Sequence, residues 1–267
     1  MPYVLVDKPR PHIGRITLNR PERMNAMSFE TVVPLHDAIE EVARDNDTWV
    51  VILTGAGEGF CSGLDLTDHG MPPNCADLPM SRIAIRAMEF MANLIPELRA
   101  MPQPVIAAVN GAAIGGGFCL SLGADIRIAG ESAYFRNAGI NNGLSGTELG
   151  ISYLLPRLIG ASRAWEIILS GRDVDAREAD RIGLVSRVVP DAELLDACLA
   201  LAEQIRDFSP HGVAMTKKTL WSNLEVASLT AAIDLENRNQ LLVRLTTANL
   251  QEAIAARKEK RKPRYED

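Results

Sequence analysis

The chain has 267 residues, 47% of them hydrophobic and 23% charged, and carries a net charge of −6 at pH 7. That length and balance describe a globular chain able to bury a large core without staples, and exclude a disordered or disulfide-built one. An acidic chain also lacks the basic face that phosphate backbones demand, so nucleic-acid binding is not expected.

The segments YVLVD (3–7) and IGRITLN (13–19) alternate in the period of strands and predict a hairpin closed through KPRPH (8–12). Ser28 then stands where a helix N-cap is wanted, before apolar residues at helical spacing in SFETVVPLHDAIEEVARD (28–45). WVVILTG (49–55) is a continuous apolar run ending in Gly, the pattern of a strand buried on both faces. FCSGLDLTDHGMPPNCADLPM (60–80), rich in Gly, Pro, Asn and Asp, predicts an irregular loop. A long helix follows in SRIAIRAMEFMANLIPELRAM (81–101), then a buried strand in QPVIAAVNG (103–111), a short helix in GGGFCLSLGA (115–124) and a strand in DIRIAG (125–130). Strand and helix alternate with short turns, which predicts an α/β fold built from similar units, without a clear sequence repeat. GLVSRVVP (183–190) predicts a last strand, and the chain then turns helical to its end. The expected division is 1–205, an α/β core, and 206–267, a helical appendage that packs against neighbouring subunits.

The cysteines Cys61, Cys75, Cys119 and Cys198 show no metal-ligand spacing. No apolar run approaches a membrane span, and MPYVLVDKPRPHIGRITLNR contains no apolar signal core. The expectation is a cytoplasmic protein with free thiols, no membrane association and no metal.

The triplet Gly115, Gly116 and Gly117 opens a helix, although each helical Gly costs roughly 1 kcal/mol against Ala. Bare backbone at a helix N-terminus leaves N–H groups free to hold an oxyanion, whereas the plainer reading is close packing of helix on strand. A second Gly-containing turn, FCSGLDL, also follows a buried strand. Two such turns are able to supply the pair of donors that a thioester enolate requires.

Taken together, ITLNRPERMNAM, FCSGLDL, AVNGAAIGGG, DIRIAG, LLPRLIGASRAWEIILSGRDVDAREADRIGLVSRVVP and EKRKPRY resemble the enoyl-CoA hydratase/isomerase, or crotonase, superfamily over essentially the whole chain. The resemblance implies a crotonase-like spiral of ββα repeats followed by a C-terminal helical trimerisation region. It implies homotrimers or hexamers built as dimers of trimers, an acyl-CoA thioester substrate, and no cofactor beyond the CoA the substrate carries. By position it places the oxyanion donors at the N–H groups of Leu64 and Gly116. It lines the substrate groove with Met24, Ala26, Ser62, Gly63, Leu64, Asp65, Leu66, Gly115, Gly116, Gly139 and Ile140, and brings Lys260 and Lys262 toward the CoA phosphates.

Hydration of an enoyl thioester calls for paired acids, one to activate water and one to protonate carbon. Family hydratases place them where this chain has Cys119 and Gly139, with Ile140 beside the latter, and none of these is an acid. Glu148 matches a position at which other relatives keep a catalytic carboxylate. Partly buried, it would have a raised pKa suited to shuttling a proton; otherwise it is a helix-start acid capped by Ser145 or Thr147. A single carboxylate suits a double-bond shift better than hydration. Hydration, or an acyl-CoA-binding protein with little turnover, are the alternatives, and the latter predicts a Glu148 facing solvent. As side chains, Asp65 and Asp125 read as turn or cap residues, Asp68 and His69 as loop residues with contact to the acyl group as the alternative, and Cys119 as a small buried hydrophobe.

Overall fold

The structure is a computed structural model and describes residues 1–265. In chain order, β1 (Val4–Arg10) and β2 (Ile13–Leu18) lead to α1 (Phe29–Arg44), β3 (Val50–Gly55), β4 (Gly59–Cys61) and α2 (Met80–Ala100). β5 (Val105–Val109), β6 (Ala112–Ile114), α3 (Gly116–Gly123), β7 (Ile126–Gly130), β8 (Tyr134–Arg136) and α4 (Ala138–Asn141) follow. Next come α5 (Ile151–Ile159), α6 (Ala161–Ser170), β9 (Asp173–Asp175), α7 (Ala176–Arg181), β10 (Arg187–Val189) and α8 (Leu194–Arg206). α9 (Pro210–Asn223), α10 (Leu229–Thr246) and α11 (Asn249–Glu259) complete the described chain.

A larger sheet runs β1-β2-β3-β5-β7-β10 and a smaller one β4-β6-β8-β9. Only the terminal pairs β1–β2 and β8–β9 are antiparallel. β3–β4–α2, β5–β6–α3 and β7–β8–α4 each place one strand in either sheet before a helix, the ββα repeat that the resemblance implies. The smaller sheet was not foreseen: GFC, AAI, YFR and DVD are too short to show an alternating pattern. β1 also runs on through Lys8–Arg10, so the hairpin turn is tighter than KPRPH suggests, and the last strand contracts to Arg187–Val189.

The continuous apolar runs are explained by burial on both faces of the larger sheet. Successive side chains alternate across a strand. Val51, Leu53, Val105 and Ala107 join α1, α2 and α3 in one core, while Val50, Ile52, Ile106 and Ala108 meet Leu194, Cys198 and Leu199 of α8 on the other.

α9 is fastened by a buried charge. The Lys217 ammonium donates to the carbonyls of Leu98 (3.0 Å) and Gln103 (2.9 Å) and pairs with Asp125 at 2.9 Å. Asp125 also accepts from the Val105 N–H and the Trp221 indole. Burial lowers the pKa of Lys217 while Asp125 opposes that shift. Lys217→Met leaves the largely covered Asp125 carboxylate without its ion-pair partner and is expected to cost about 3 kcal/mol, the low end for a broken buried pair because Asp125 is 15% exposed. Denaturant unfolding measures this, and a loss within 1 kcal/mol, on the scale of an exposed pair, would contradict it.

Candidate functional site

The turn after β4 and the start of α3 meet face to face. Met27 and Leu64 form an isolated parallel bridge, with the Met27 N–H donating to the Gly63 carbonyl (2.7 Å) and the Asp65 N–H to the Met27 carbonyl (2.9 Å). Neighbouring N–H groups of an extended chain point in opposite directions, so the Leu64 N–H lies on the edge away from Met27. Among the described residues it donates to no protein acceptor, and neither does the N–H of Gly116, the first residue of α3. The two segments are adjacent: a Cβ placed on Gly63 would lie 3.2 Å from the Gly116 nitrogen.

The glycine triplet has a separate reason at each end. Gly115 adopts φ 52°, ψ −118°, a conformation that side chains resist, and spends its own N–H on the Arg136 carbonyl at 2.8 Å. A Cβ on Gly117 would overlap the Cys61 carbonyl oxygen, so α3 seats directly on β4 only without one. At the opposite end of this buried helix the Arg127 guanidinium donates to the carbonyls of Ser121 and Ala124, a cation where the helix dipole is negative.

Asp65 turns its carboxylate inward onto two arginines. Its side chain is only 2% exposed and pairs with Arg20 (2.9 Å) and Arg23 (2.8 Å). It also accepts the N–H groups of Thr67 and Asp68. Arg23, first among the causes, holds the carboxyl well below the usual carboxylate range. Asp65 thus joins the Ser62–Leu66 turn to the segment carrying Met24 and Ala26 and belongs to the site as a brace. Its lowered pKa confers stability above the ordinary Asp range that is lost only as pH falls through the lowered value, so the brace persists through mild acid. Asp65→Ala leaves two arginines unpaired. We expect a loss of about 3 kcal/mol, at the low end for a broken buried pair because Arg23 is 40% exposed. The measurement is urea unfolding, and an unchanged midpoint would count against the brace.

Asn25 reinforces the same turn. Buried and at φ 56°, it donates to the carbonyls of Ala56 and Gly59 and accepts from the Arg20 N–H. Ser62 donates its N–H to the Met24 carbonyl, while the side chains of Met24, Leu64 and Leu66 remain exposed. Sequence reading passed over Arg20, Arg23, Asn25 and Met27; the charged pair flanking Pro21–Glu22 was the available signal.

Glu148 is half-buried and reaches the first turn of α3: a Cβ on Gly115 would lie 3.4 Å from its Oε1. No donor among the described residues bonds its carboxylate. Burial alone raises its pKa. α5 begins at Ile151 with Gly150 as N-cap, so Glu148 precedes the helix; Ser145 and Thr147 bond each other. Cys119 is fully buried and its thiol donates to the Glu148 carbonyl at 3.6 Å; burial first, then Glu148, pushes the thiol pKa well up. Gly139 is buried, and a Cβ there would overlap the Ser145 carbonyl, so that position has no room for an acid without rebuilding the loop. Ile140 beside it is 37% exposed.

Three histidines and the two C-terminal lysines are engaged elsewhere or set apart. His36 pairs with Glu97 and Phe90, His12 stacks on Trp49, and the His69 ring bonds the Gly70 carbonyl. Lys262 pairs with Asp207 at 2.7 Å, and Lys260 caps α11 in a left-handed conformation. All four cysteines are free and buried. Among the described residues, no cluster of His, Cys, Asp or Glu is able to hold a metal ion, and no helix is long and apolar enough to cross a membrane.

Comparison with known proteins converges on one family. The family model described as enoyl-CoA hydratase/isomerase matches residues 10–267. A Mycobacterium bovis protein named "Probable enoyl-CoA hydratase echA12" is 59% identical over 264 residues, 99% of this chain and 93% of its own. The crystal structure of "a probable enoyl-CoA hydratase/isomerase from Mycobacterium abscessus" shares 54% identity and a TM-score of 0.94, covering 99% of this chain and 98% of that one. The structure of "a monofunctional enoyl CoA isomerase from M. smegmatis" shares 52% identity and a TM-score of 0.75, with 87% and 99% covered.

Proposed function

The chain belongs to the enoyl-CoA hydratase/isomerase family, and from that premise we propose that it shifts a double bond in an acyl-CoA thioester through one carboxylate, Glu148. The thioester oxygen sits between the N–H groups of Leu64 and Gly116. With a 3-enoyl thioester, Glu148 takes a proton from C2. The electron pair moves onto the thioester oxygen as a dienolate, held by the two donors at the positive end of α3. Glu148, now a neutral acid, returns the proton to C4, and the double bond settles between C2 and C3. Atoms and charge balance without a second acid and without a group beyond the CoA thioester.

One observation carries this reading. Among the described residues, a half-buried carboxylate without a hydrogen-bond partner stands beside Gly115, while Cys119 and Gly139 occupy the positions where hydratases of the family keep acids. The raised pKa of Glu148 favours both halves of the transfer near neutrality. Its burial beside the helix weighs against a binding-only role. Hydration has its own support in the names of relatives such as the M. bovis protein. Chromatography of products from a 2-enoyl- and a 3-enoyl-CoA separates the two: interconversion is expected, and a 3-hydroxyacyl product would overturn the isomerase reading.

The groove is formed by Met24, Ala26, Ser62, Gly63, Leu64 and Leu66 on one side and Gly115, Gly116, Gly139 and Ile140 on the other. Residues 1–205 form the catalytic core and 206–267 the oligomerisation region of a homotrimer or hexamer. Support comes from α10, which buries no residue within the subunit and exposes Leu229, Ile233, Leu241, Leu242 and Leu245. The free thiols suit a reducing cytoplasm.

A further inference from the structure

Leu149, immediately after Glu148, has φ 43°. A branched residue in the left-handed region is strained and persists only where its surroundings over-determine it. Here they do so from both sides. The Glu148 carbonyl before it accepts the Ile151 N–H (2.9 Å) and the Cys119 thiol of α3. Gly150 after it is also left-handed, at φ 84°, and caps α5. Upstream, the buried Asn137 amide holds the Gly146 carbonyl at 2.6 Å, closing the loop at its other end. The Leu149 side chain packs on the main core, with its Cδ2 3.8 Å from where a Gly116 Cβ would be. One residue therefore touches both working parts, the carboxylate through the chain and the oxyanion donor through its side chain.

We propose that Leu149 is a positioning residue for Glu148: its left-handed backbone aims the carboxylate at the first turn of α3, and its side chain, seated on Gly116, keeps water away from it. This rests on the reading of Glu148 as the proton carrier. From α3 the Cys119 thiol, held neutral by burial, reaches the Glu148 carbonyl and feels the Glu148 charge, while Arg136, whose carbonyl accepts the Gly115 N–H, pairs through its side chain with Asp173. Burial is thus the cause that a smaller side chain at 149 would relieve.

The test compares Leu149→Ala, Leu149→Gly and Leu149→Met with Glu148→Gln, each assayed for thioester proton exchange across pH. Glycine relaxes the backbone and alanine keeps it strained, but both open the carboxylate to water; methionine restores an apolar cover. Expected are a fall in kcat of at least tenfold in the Ala and Gly variants with KM within twofold. The acidic limb of the profile moves to lower pH, and Met recovers most of the rate. A Gly variant that folds and keeps both wild-type kcat and the wild-type limb overturns the proposal. So does a set of variants that lose thermal stability and KM together while the limb stays fixed. Wild-type exchange in Glu148→Gln instead overturns the Glu148 reading and this inference with it; a dead Glu148→Gln beside unaffected Leu149 variants overturns this inference alone.

Discussion

If Glu148 carries the proton as proposed, Glu148→Gln is expected to cut proton transfer steeply while leaving the fold and the thioester site in place. Positioned acid–base groups contribute about 10²–10⁴-fold, and with Cys119 and Gly139 in the other two positions no second acid shares the load. The expected fall in kcat is therefore at the upper end of that range, with KM little changed. Stability moves the other way. The folded pKa of Glu148 is raised by burial above its unfolded value. As pH climbs from the ordinary Glu range through the raised value, the native state gives up a proton it prefers to keep, and stability falls. Gln carries no such cost. The variant is expected to melt above the wild type at neutral pH, with the gap closing below the ordinary Glu range. Calorimetry at two pH values checks the stability and rapid-quench turnover the rate. A variant that is both slower and less stable at neutral pH would mean that the carboxylate is a structural contact.

Gly116→Pro is expected to remove the proposed oxyanion donor without removing the helix. Position 116 is the first of α3, where proline is tolerated because its N–H has no helical partner. Loss of one such donor costs about 10²–10³ in kcat. Added bulk is a second effect, since a Cβ here would come 2.9 Å from the Met27 sulfur. Gly116→Ala carries that Cβ and keeps the N–H, whereas Pro also puts its ring Cδ in place of the hydrogen, so the Pro variant removes the donor and blocks its position together. The expected result is a modest loss in Ala and a further loss of about a hundredfold in Pro, read in kcat with both proteins folded by circular dichroism. Equal activities in the two variants would place the oxyanion elsewhere.

The long elements were legible because they are long. α1 and α2 show the helical period over enough residues to be recognised, and β3 and β5 stand out as unbroken apolar runs, which two-sided burial accounts for. The smaller sheet escaped because each strand has three residues and owes its conformation to its neighbours. At the site, the glycines stand out by residue identity, whereas the absence of acids at Cys119 and Gly139 has meaning only through the family resemblance. What holds the site could not be read from the sequence. Asp65 finds Arg20 and Arg23 across 45 and 42 residues, and Asp125 meets Trp221 across 96, contacts that no local pattern encodes. The left-handed turn at Leu149 is hidden for a different reason: leucine has no preference for that conformation, so only the packing around it reveals the demand.

The most direct test of the central claim is mass spectrometry of a 3-enoyl-CoA incubated with the protein in D₂O. The account predicts a double bond moved to C2 and deuterium exchanged into the acyl chain, with no oxygen gained and no change in Glu148→Gln. A product heavier by a whole D₂O, formed by the wild type and lost in Glu148→Gln, would contradict it and make the protein a hydratase working through one carboxylate.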